Sequence, residues 1–161
     1  MLRIINHISY ILDRISQASA AAFFAAMLIL VLFQVIARYF FQAAPSWTAE
    51  AARYCMVWGG LLGATVAFRG DLDPRLIQPP PRNQRVRSLF ALWVRTSAVL
   101  IFLGPVLYHS HGFLARTWHR TTVALGISTM WVSLAVPVAV AIIFCHLLAK
   151  LAGPEIDQSR G

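Results

Sequence analysis

Four long apolar runs constrain this chain more than any other feature of its sequence. No charged residue occurs between Arg14 and Arg38, and comparable apolar runs recur three more times. About 20 apolar residues in a helix are enough to cross the hydrocarbon core of a bilayer. In lipid the backbone must satisfy its own hydrogen bonds, and these continuous runs lack the alternation of a membrane barrel. The sequence therefore predicts an all-α membrane protein, a single domain over residues 1–161 with four transmembrane helices.

The predicted spans cover residues 17–37, 51–68, 88–108 and 130–149. Ahead of them, residues 1–16 show an amphipathic helical pattern in which apolar residues recur at steps of three and four. We expect an N-terminal interfacial amphipathic helix lying on the inner leaflet. A helical extension packed against a partner protein is the alternative that the pattern leaves open.

Composition and charge placement support a membrane location and predict the orientation of the chain. Charged residues make up 12% of the sequence, about half the usual fraction in soluble domains. The basic residues mostly flank the apolar runs, so we expect membrane lipids rather than nucleic acid as partners. Nine Lys or Arg residues fall on the side of both termini and the loop 69–87, against three on the other side. The positive-inside rule then predicts cytoplasmic N and C termini.

The turn between the first two spans is rich in polar and aromatic residues. Arg38 follows span one, and Glu50 and Arg53 lie at the start of span two. Residues three apart share a helical face, so we expect Glu50 and Arg53 to form a structural ion pair. Trp47 and Trp58 should anchor or pack the second span. A generic interfacial turn is the alternative interpretation.

Small residues recur along span two. Gly59, Gly63 and Ala67 lie at steps of four residues, a spacing that lets two helix backbones approach closely. We expect this stripe to make a tight helix contact, within the bundle or with a partner.

Arg95 is a basic residue expected deep within span three, about 12 Å along the helix from Arg87. Placing a guanidinium at membrane depth costs about 2.5 kcal/mol or more, which makes Arg95 a candidate for subunit or lipid contact. The alternative is a span that starts later, with Arg95 reaching the inner leaflet.

Two helix boundaries are also predicted. Ser46 is a suitable N-cap for span two, because its hydroxyl could accept a hydrogen bond from a free backbone amide. Trp131 enters span four, and Pro137 should bend that span because it lacks one backbone N–H.

No catalytic, cofactor-binding or metal site is expected. None of the acidic residues falls within a predicted span, and no histidine lies mid-span where a haem needs a pair. The predicted loop 109–129 holds three histidines without a carboxylate or cysteine, which favours a solvated loop over a metal site. No nucleophile and base come together in the spans. These observations indicate a membrane anchor rather than an enzyme.

Two blocks of sequence carry a family resemblance. The string RYFFQAAPSWTAEAARYCMVW resembles the signature of the small membrane subunit of tripartite ATP-independent periplasmic (TRAP) transporters, the DctQ-like family. The matching positions are Arg38, Tyr39, Ser46, Trp47, Glu50, Ala52, Arg53, Tyr54 and Trp58. A second block, LGISTMWVSLAVPVAVAI, resembles the closing motif of the family at Leu125, Gly126, Ile127, Trp131, Ala135, Val136 and Pro137.

The chain departs from the family pattern at two places. The usual acidic pair is reduced to Ala49 and Glu50, and the stretch 128–130 replaces a proline that usually precedes the last tryptophan. The length, the four spans and the inside termini otherwise match the family over nearly the whole chain.

The resemblance implies a small permease subunit in the bacterial inner membrane. Such a subunit scaffolds a large permease subunit in sodium-coupled uptake of an organic acid, which a periplasmic binding protein delivers. Substrate specificity is then expected to lie in those two partners. The alternatives are a self-sufficient small transporter or channel, and a membrane anchor subunit that binds haem or quinone.

Overall fold

The computed structural model describes residues 2–42, 45–70 and 85–152 of the chain. Side chains are described for residues 7–42, 45–70, 93–94 and 96–149. The described residues form five helices, which are α1 (Leu2–Phe41), α2 (Ser46–Arg69), α3 (Arg85–Trp118), α4 (Met130–Ser133) and α5 (Ala135–Ala152).

Four segments of this part of the chain are long and apolar enough to cross a membrane. They are His7–Phe41, Ser46–Arg69, Thr96–Trp118 and Met130–Ala149. The prediction of an all-α membrane protein with four spanning helices is therefore confirmed. The third segment ends ten residues later than the predicted span 88–108, because α3 continues to Trp118 without a break.

The first helix is longer than the sequence suggested. α1 has 40 residues and extends about 60 Å. The segment expected to lie separately on the leaflet, residues 1–16, is instead continuous with the rest of α1 from Leu2 onward. No glycine or proline occurs between Leu2 and Phe41 to end the helix. Asp13 consequently lies within a candidate span, whereas the sequence placed every acidic residue outside the spans.

The core of the bundle is formed by α1, α2 and α5. α1 and α2 are antiparallel, since Phe33 contacts Trp47 near one end of the pair and Asp13 contacts Arg69 near the other. α5 packs against both of these helices, and in the described residues α3 packs against α4 and α5 alone. We call the end with Pro45 the loop end and the end with Arg69 the tail end.

A buried ion pair fixes the first turns of α1 to α2 at the tail end. The Asp13 carboxylate accepts hydrogen bonds from the Arg69 guanidinium at 2.6 Å and from the Gln17 amide at 3.1 Å. The guanidinium also lies 5.5 Å from the centre of the Tyr10 ring, a cation–π distance. These contacts allow two charged side chains to be mostly buried at this end of the bundle.

A second polar contact fixes α1 to α5. The Ser9 hydroxyl lies 2.8 Å from Nδ1 of His146, and both residues are buried. Together with the Asp13 pair, it turns the polar side of the first turns of α1 towards the bundle. Apolar side chains such as Ile8, Ile11 and Ile15 are exposed instead. This arrangement explains why the amphipathic segment continues α1 rather than separating from it.

Candidate interaction site at the loop end

The loop end contains a tight hairpin at residues 120–129. The backbone N–H of Thr129 donates to the carbonyl of Arg120 at 2.8 Å, and that of Thr122 donates to Ile127 at 2.9 Å. Gly126 closes the turn with φ of +67°, a left-handed conformation that glycine adopts without steric cost. The expected solvated loop over residues 109–129 is therefore a short ordered hairpin preceded by helix.

One serine holds the base of the hairpin to the neighbouring helices. The Ser128 hydroxyl donates to the carbonyl of Trp118 at 3.0 Å, where α3 ends. The last carbonyls of a helix have no partner within the helix, so this contact satisfies one of them. The same hydroxyl accepts a hydrogen bond from the backbone N–H of Met130 at 3.3 Å, in the first turn of α4. Ser128 thus connects α3, the hairpin and α4.

Glu50 holds the tip of the hairpin to α2. Its Oε2 accepts hydrogen bonds from the backbone N–H groups of Ala124 at 3.1 Å and Leu125 at 2.9 Å. Hydrogen bonds from backbone amides to a carboxylate are charge-assisted and stronger than neutral ones. Glu50 therefore connects α2 to the hairpin, two parts of the chain that are distant in sequence. We call this contact the Glu50 latch.

The expected ion pair between Glu50 and Arg53 is not formed among the described residues. The ion pair in this part of the chain joins Arg69 and Asp13, and the Arg53 side chain is exposed. The reason is that the Glu50 carboxylate has two convergent backbone donors from the hairpin. Helical spacing could not reveal these donors. They are backbone amides, and residue identities do not show which amides will meet a given carboxylate.

The start of α2 also differs from the prediction by one residue. Pro45, with φ of −63°, is the N-cap, and Ser46 is the first helical residue. Thr48, which is fully buried, donates its hydroxyl hydrogen to the Pro45 carbonyl at 2.7 Å. The backbone N–H of Thr48 donates to the same carbonyl at 3.3 Å, so one free N–H of the first turn is satisfied without a serine side chain.

The two tryptophans of α2 pack against α1. Trp47 lies 6.4 Å from Phe33 between ring centres, and Trp58 stacks on Phe23 at 5.9 Å with 21° between the ring planes. The indole N–H of Trp58 donates to the backbone carbonyl of Trp131 at 3.2 Å. Trp58 therefore connects α1, α2 and α4, while the Trp131 side chain is largely exposed.

The small-residue stripe of α2 makes its closest contact within the bundle. A Cβ atom added at Gly59 lies 3.3 Å from Cβ of Phe23 and 3.4 Å from the Phe24 ring. At Gly63 the nearest such contact is the Phe24 ring at 4.0 Å, and at Gly60 no described atom lies within 4 Å. Of the described glycines of α2, Gly59 is thus the one at which α1 approaches most closely.

The remaining predicted residues lie outside these contacts. Arg38 is exposed in the last turn of α1. Arg95 lies in α3, but its side chain is outside the described residues, so its role stays a prediction. Pro137 follows a break between α4 and α5 at Leu134. The missing N–H and the ring of a proline disturb the preceding turn, which accounts for an interruption at this place.

The three histidines do not assemble into a metal site in the described part of the chain. His109 and His111 lie on α3, where their Nδ1 atoms contact the carbonyls of Pro105 and Tyr108 at 3.0 and 3.1 Å. No group of three His, Cys, Asp or Glu residues in the described ranges is arranged to hold a metal ion.

Comparison with known proteins agrees with the family resemblance of the two sequence blocks. The sequence model of the family described as "Tripartite ATP-independent periplasmic transporters, DctQ component" matches residues 27–154. The chain is also similar to the protein named "Sialic acid TRAP transporter small permease protein SiaQ" of Vibrio cholerae serotype O1. The two are 22% identical over 144 residues, which is 88% of this chain and 82% of the relative. These matches confirm the resemblance carried by the two sequence blocks.

Proposed function

Because the chain belongs to the DctQ component family of tripartite ATP-independent periplasmic transporters, we propose that it scaffolds a large permease subunit in such a transporter. It lies in the bacterial inner membrane with both termini in the cytoplasm. Its partners are the large permease, a periplasmic binding protein and membrane lipids. Its role is non-enzymatic, and the large permease carries the substrate and sodium sites.

One observation carries the scaffold role beyond family membership. The two sequence blocks that resemble the family motifs contact each other directly in the fold. Glu50 of the first block binds the backbone N–H of Leu125 in the second. Trp58 of the first block donates to the carbonyl of Trp131 in the second. The motif residues therefore connect α2 to the hairpin and to α4 within the subunit. This supports a structural rather than a substrate-binding role.

The proposed substrate class is an organic acid. The Vibrio relative bears the name of a sialic acid transporter, and sialic acid is a carboxylate-bearing sugar. At 22% identity this similarity supports the class of substrate and not the individual compound. Substrate selection belongs to the binding protein and the large permease in this proposal.

Reconstitution by omission tests the proposal. Liposomes are prepared with the small chain alone, with the large permease alone, and with both subunits, each with the purified binding protein and a sodium gradient. We expect uptake of the organic acid only when both subunits are present. Flux through the small chain alone would support a self-sufficient transporter instead. A haem absorption band in the purified chain would support an electron-transfer anchor.

A further inference from the structure

A narrow apolar cleft lies between three helices of the bundle. α2 forms its floor at Leu62, which is buried, while α1 and α5 form its rims at Ile15 and Val138, which are exposed. The volume of the cleft is about 270 Å³. None of the described residues that line it is charged, and all of them lie in segments able to cross a membrane. The cleft therefore opens sideways between α1 and α5, within the membrane-spanning part of the bundle.

Two contacts bound the cleft at its ends. Ser9 and His146 join α1 to α5 on the tail-end side. Phe23 stacks on Trp58 on the loop-end side. The lining residues of α1 run from Leu12 to Phe23, a distance of about 16 Å along a helix. The cleft is therefore elongated along the helix axes, closed at both ends and open on one side.

The depth of the cleft corresponds to one leaflet of a bilayer. The ion pair of Asp13 with Arg69 marks the tail end of the paired helices α1 and α2. The contact of Phe33 with Trp47 marks the loop end. From Asp13 to Phe33 is 33 − 13 = 20 residues, or about 30 Å of helix, which equals the thickness of a hydrocarbon core. Phe23 is midway between them, so the cleft extends from the tail-end boundary of the core to its centre.

The lining and the volume of the cleft decide what can fill it. Buried water needs about two to four polar partners. The lining supplies the hydroxyls of Ser16 and Ser19, because the indole N–H of Trp58 already donates to the carbonyl of Trp131. A partner helix about 10 Å in diameter and about 16 Å long occupies roughly 1,200 Å³, which is more than four times the volume of the cleft.

A flexible hydrocarbon chain fits this space. A dry apolar cavity of about 150 Å³ binds benzene, with its six carbon atoms, so the cleft accommodates a chain of about ten carbons. Such a chain is thin enough to enter through the side opening between Ile15 and Val138. The sequence accounts for the space itself, because Ser16 and Ser19 occupy positions where longer side chains on α1 would fill it.

From these observations we propose that the cleft binds one acyl chain of a phospholipid from the leaflet at the tail end. The chain fills the space between α1, α2 and α5 and lies on Leu62. The phospholipid is then a bound component of the subunit, distinct from the lipids that exchange along its outer surface. This inference does not depend on the transport role proposed above, so either can fail without the other.

Photo-crosslinking with a lipid probe tests the inference. The tagged chain is purified from its native membrane, with any partner that remains bound, and placed in nanodiscs. The probe is phosphatidylethanolamine with a diazirine halfway along one acyl chain, and mass spectrometry maps the cross-links. Leu62 is 7% exposed, so labelling of Leu62 reports a chain inside the cleft. Leu28 and Ile29 are exposed on α1 and report lipid at the outer surface.

Two variants of adjacent residues make a matched pair. Ser19→Phe places a ring in the cleft, whereas Ala18→Phe places the same ring on the exposed side of α1, outside the lining. In the unmodified chain, labelling of Leu62 should level off as the probe fraction rises, while labelling of Leu28 should rise in proportion. Ser19→Phe should lose the labelling of Leu62, and Ala18→Phe should keep it. Thermal unfolding followed by tryptophan fluorescence verifies that both variants are folded.

Labelling confined to Leu28 and Ile29 in the unmodified chain would overturn the inference without the use of any variant. Equal labelling of Leu62 in the two variants would also overturn it. So would labelling of Leu62 that occurs only after a bound partner has been removed, because a side chain of the partner would then fill the cleft. Finally, recovery of a quinone instead of a phospholipid in the solvent extract of the purified chain would contradict the proposed ligand.

Discussion

Gly59→Leu should lower the stability of the purified subunit by about 1 to 3 kcal/mol, the usual cost of forcing extra atoms into a packed contact. A Cβ at this position is 3.3 Å from Cβ of Phe23 and 3.4 Å from the Phe24 ring. The remaining atoms of leucine therefore have to push α1 away from α2. Trp58, which stacks on Phe23, would lose part of its contact as well. Thermal unfolding in detergent, followed by intrinsic tryptophan fluorescence, measures the effect.

Gly60→Leu is the matched control for this prediction. It makes the same chemical change one residue further along α2, where no described atom lies within 4 Å of an added Cβ. Replacing a helical glycine by leucine also favours the helix by about 0.8 kcal/mol. We therefore expect an unfolding midpoint equal to or above that of the unmodified protein. Equal losses in the two variants would show that α1 does not approach α2 at Gly59.

Glu50→Ala should release the hairpin without unfolding the bundle. The substitution leaves the backbone N–H groups of Ala124 and Leu125 without their charged acceptor. Hydrogen bonds to charged groups contribute about 1.5 to 3 kcal/mol. Amide exchange at residues 124 and 125 should consequently become about 10- to 100-fold faster. Hydrogen exchange read by mass spectrometry on peptides covering the hairpin measures this change, with peptides of α1 as the internal reference.

Two further variants distinguish the contact of Glu50 with the hairpin from an ion pair between Glu50 and Arg53. Arg53→Ala removes the partner expected from helical spacing, and it should leave the exchange of the hairpin amides unchanged because Arg53 is exposed. Glu50→Gln keeps one carbonyl acceptor without the charge and should give an intermediate rate. Slow exchange of the hairpin amides in Glu50→Ala would contradict the Glu50 latch, and equally fast exchange in Arg53→Ala and Glu50→Ala would support the ion pair instead.

The fold was predictable from the sequence where apolar residues dominated long stretches. The charge-free run between Arg14 and Arg38 could only be a spanning helix, because lipid leaves few other backbone structures. The order of the two motif blocks likewise sufficed to identify the family. The start of α1 was harder to predict, because an amphipathic pattern gives the same signal on a leaflet and against other helices. The contacts of Asp13 and Ser9 with α2 and α5 decide between them.

The candidate site was less predictable for a different physical reason. The sequence singled out Glu50, but its hydrogen-bond partners are backbone amides 74 and 75 positions further along the chain. Arg53 appeared to be its partner because charge and spacing are visible in a sequence and backbone geometry is not. The hairpin itself depends on Gly126 at a positive φ and on the Ser128 hydroxyl, neither of which forms a strong short motif.

The most direct test of the scaffold role is to purify the tagged chain from its native membrane and identify by mass spectrometry what comes with it. We expect a large hydrophobic permease in a one-to-one ratio with the chain. Gly59→Leu should reduce the yield of this complex, because it separates α1 from α2. A chain that is recovered alone, folded and stable in a mild detergent would rule out the scaffold role.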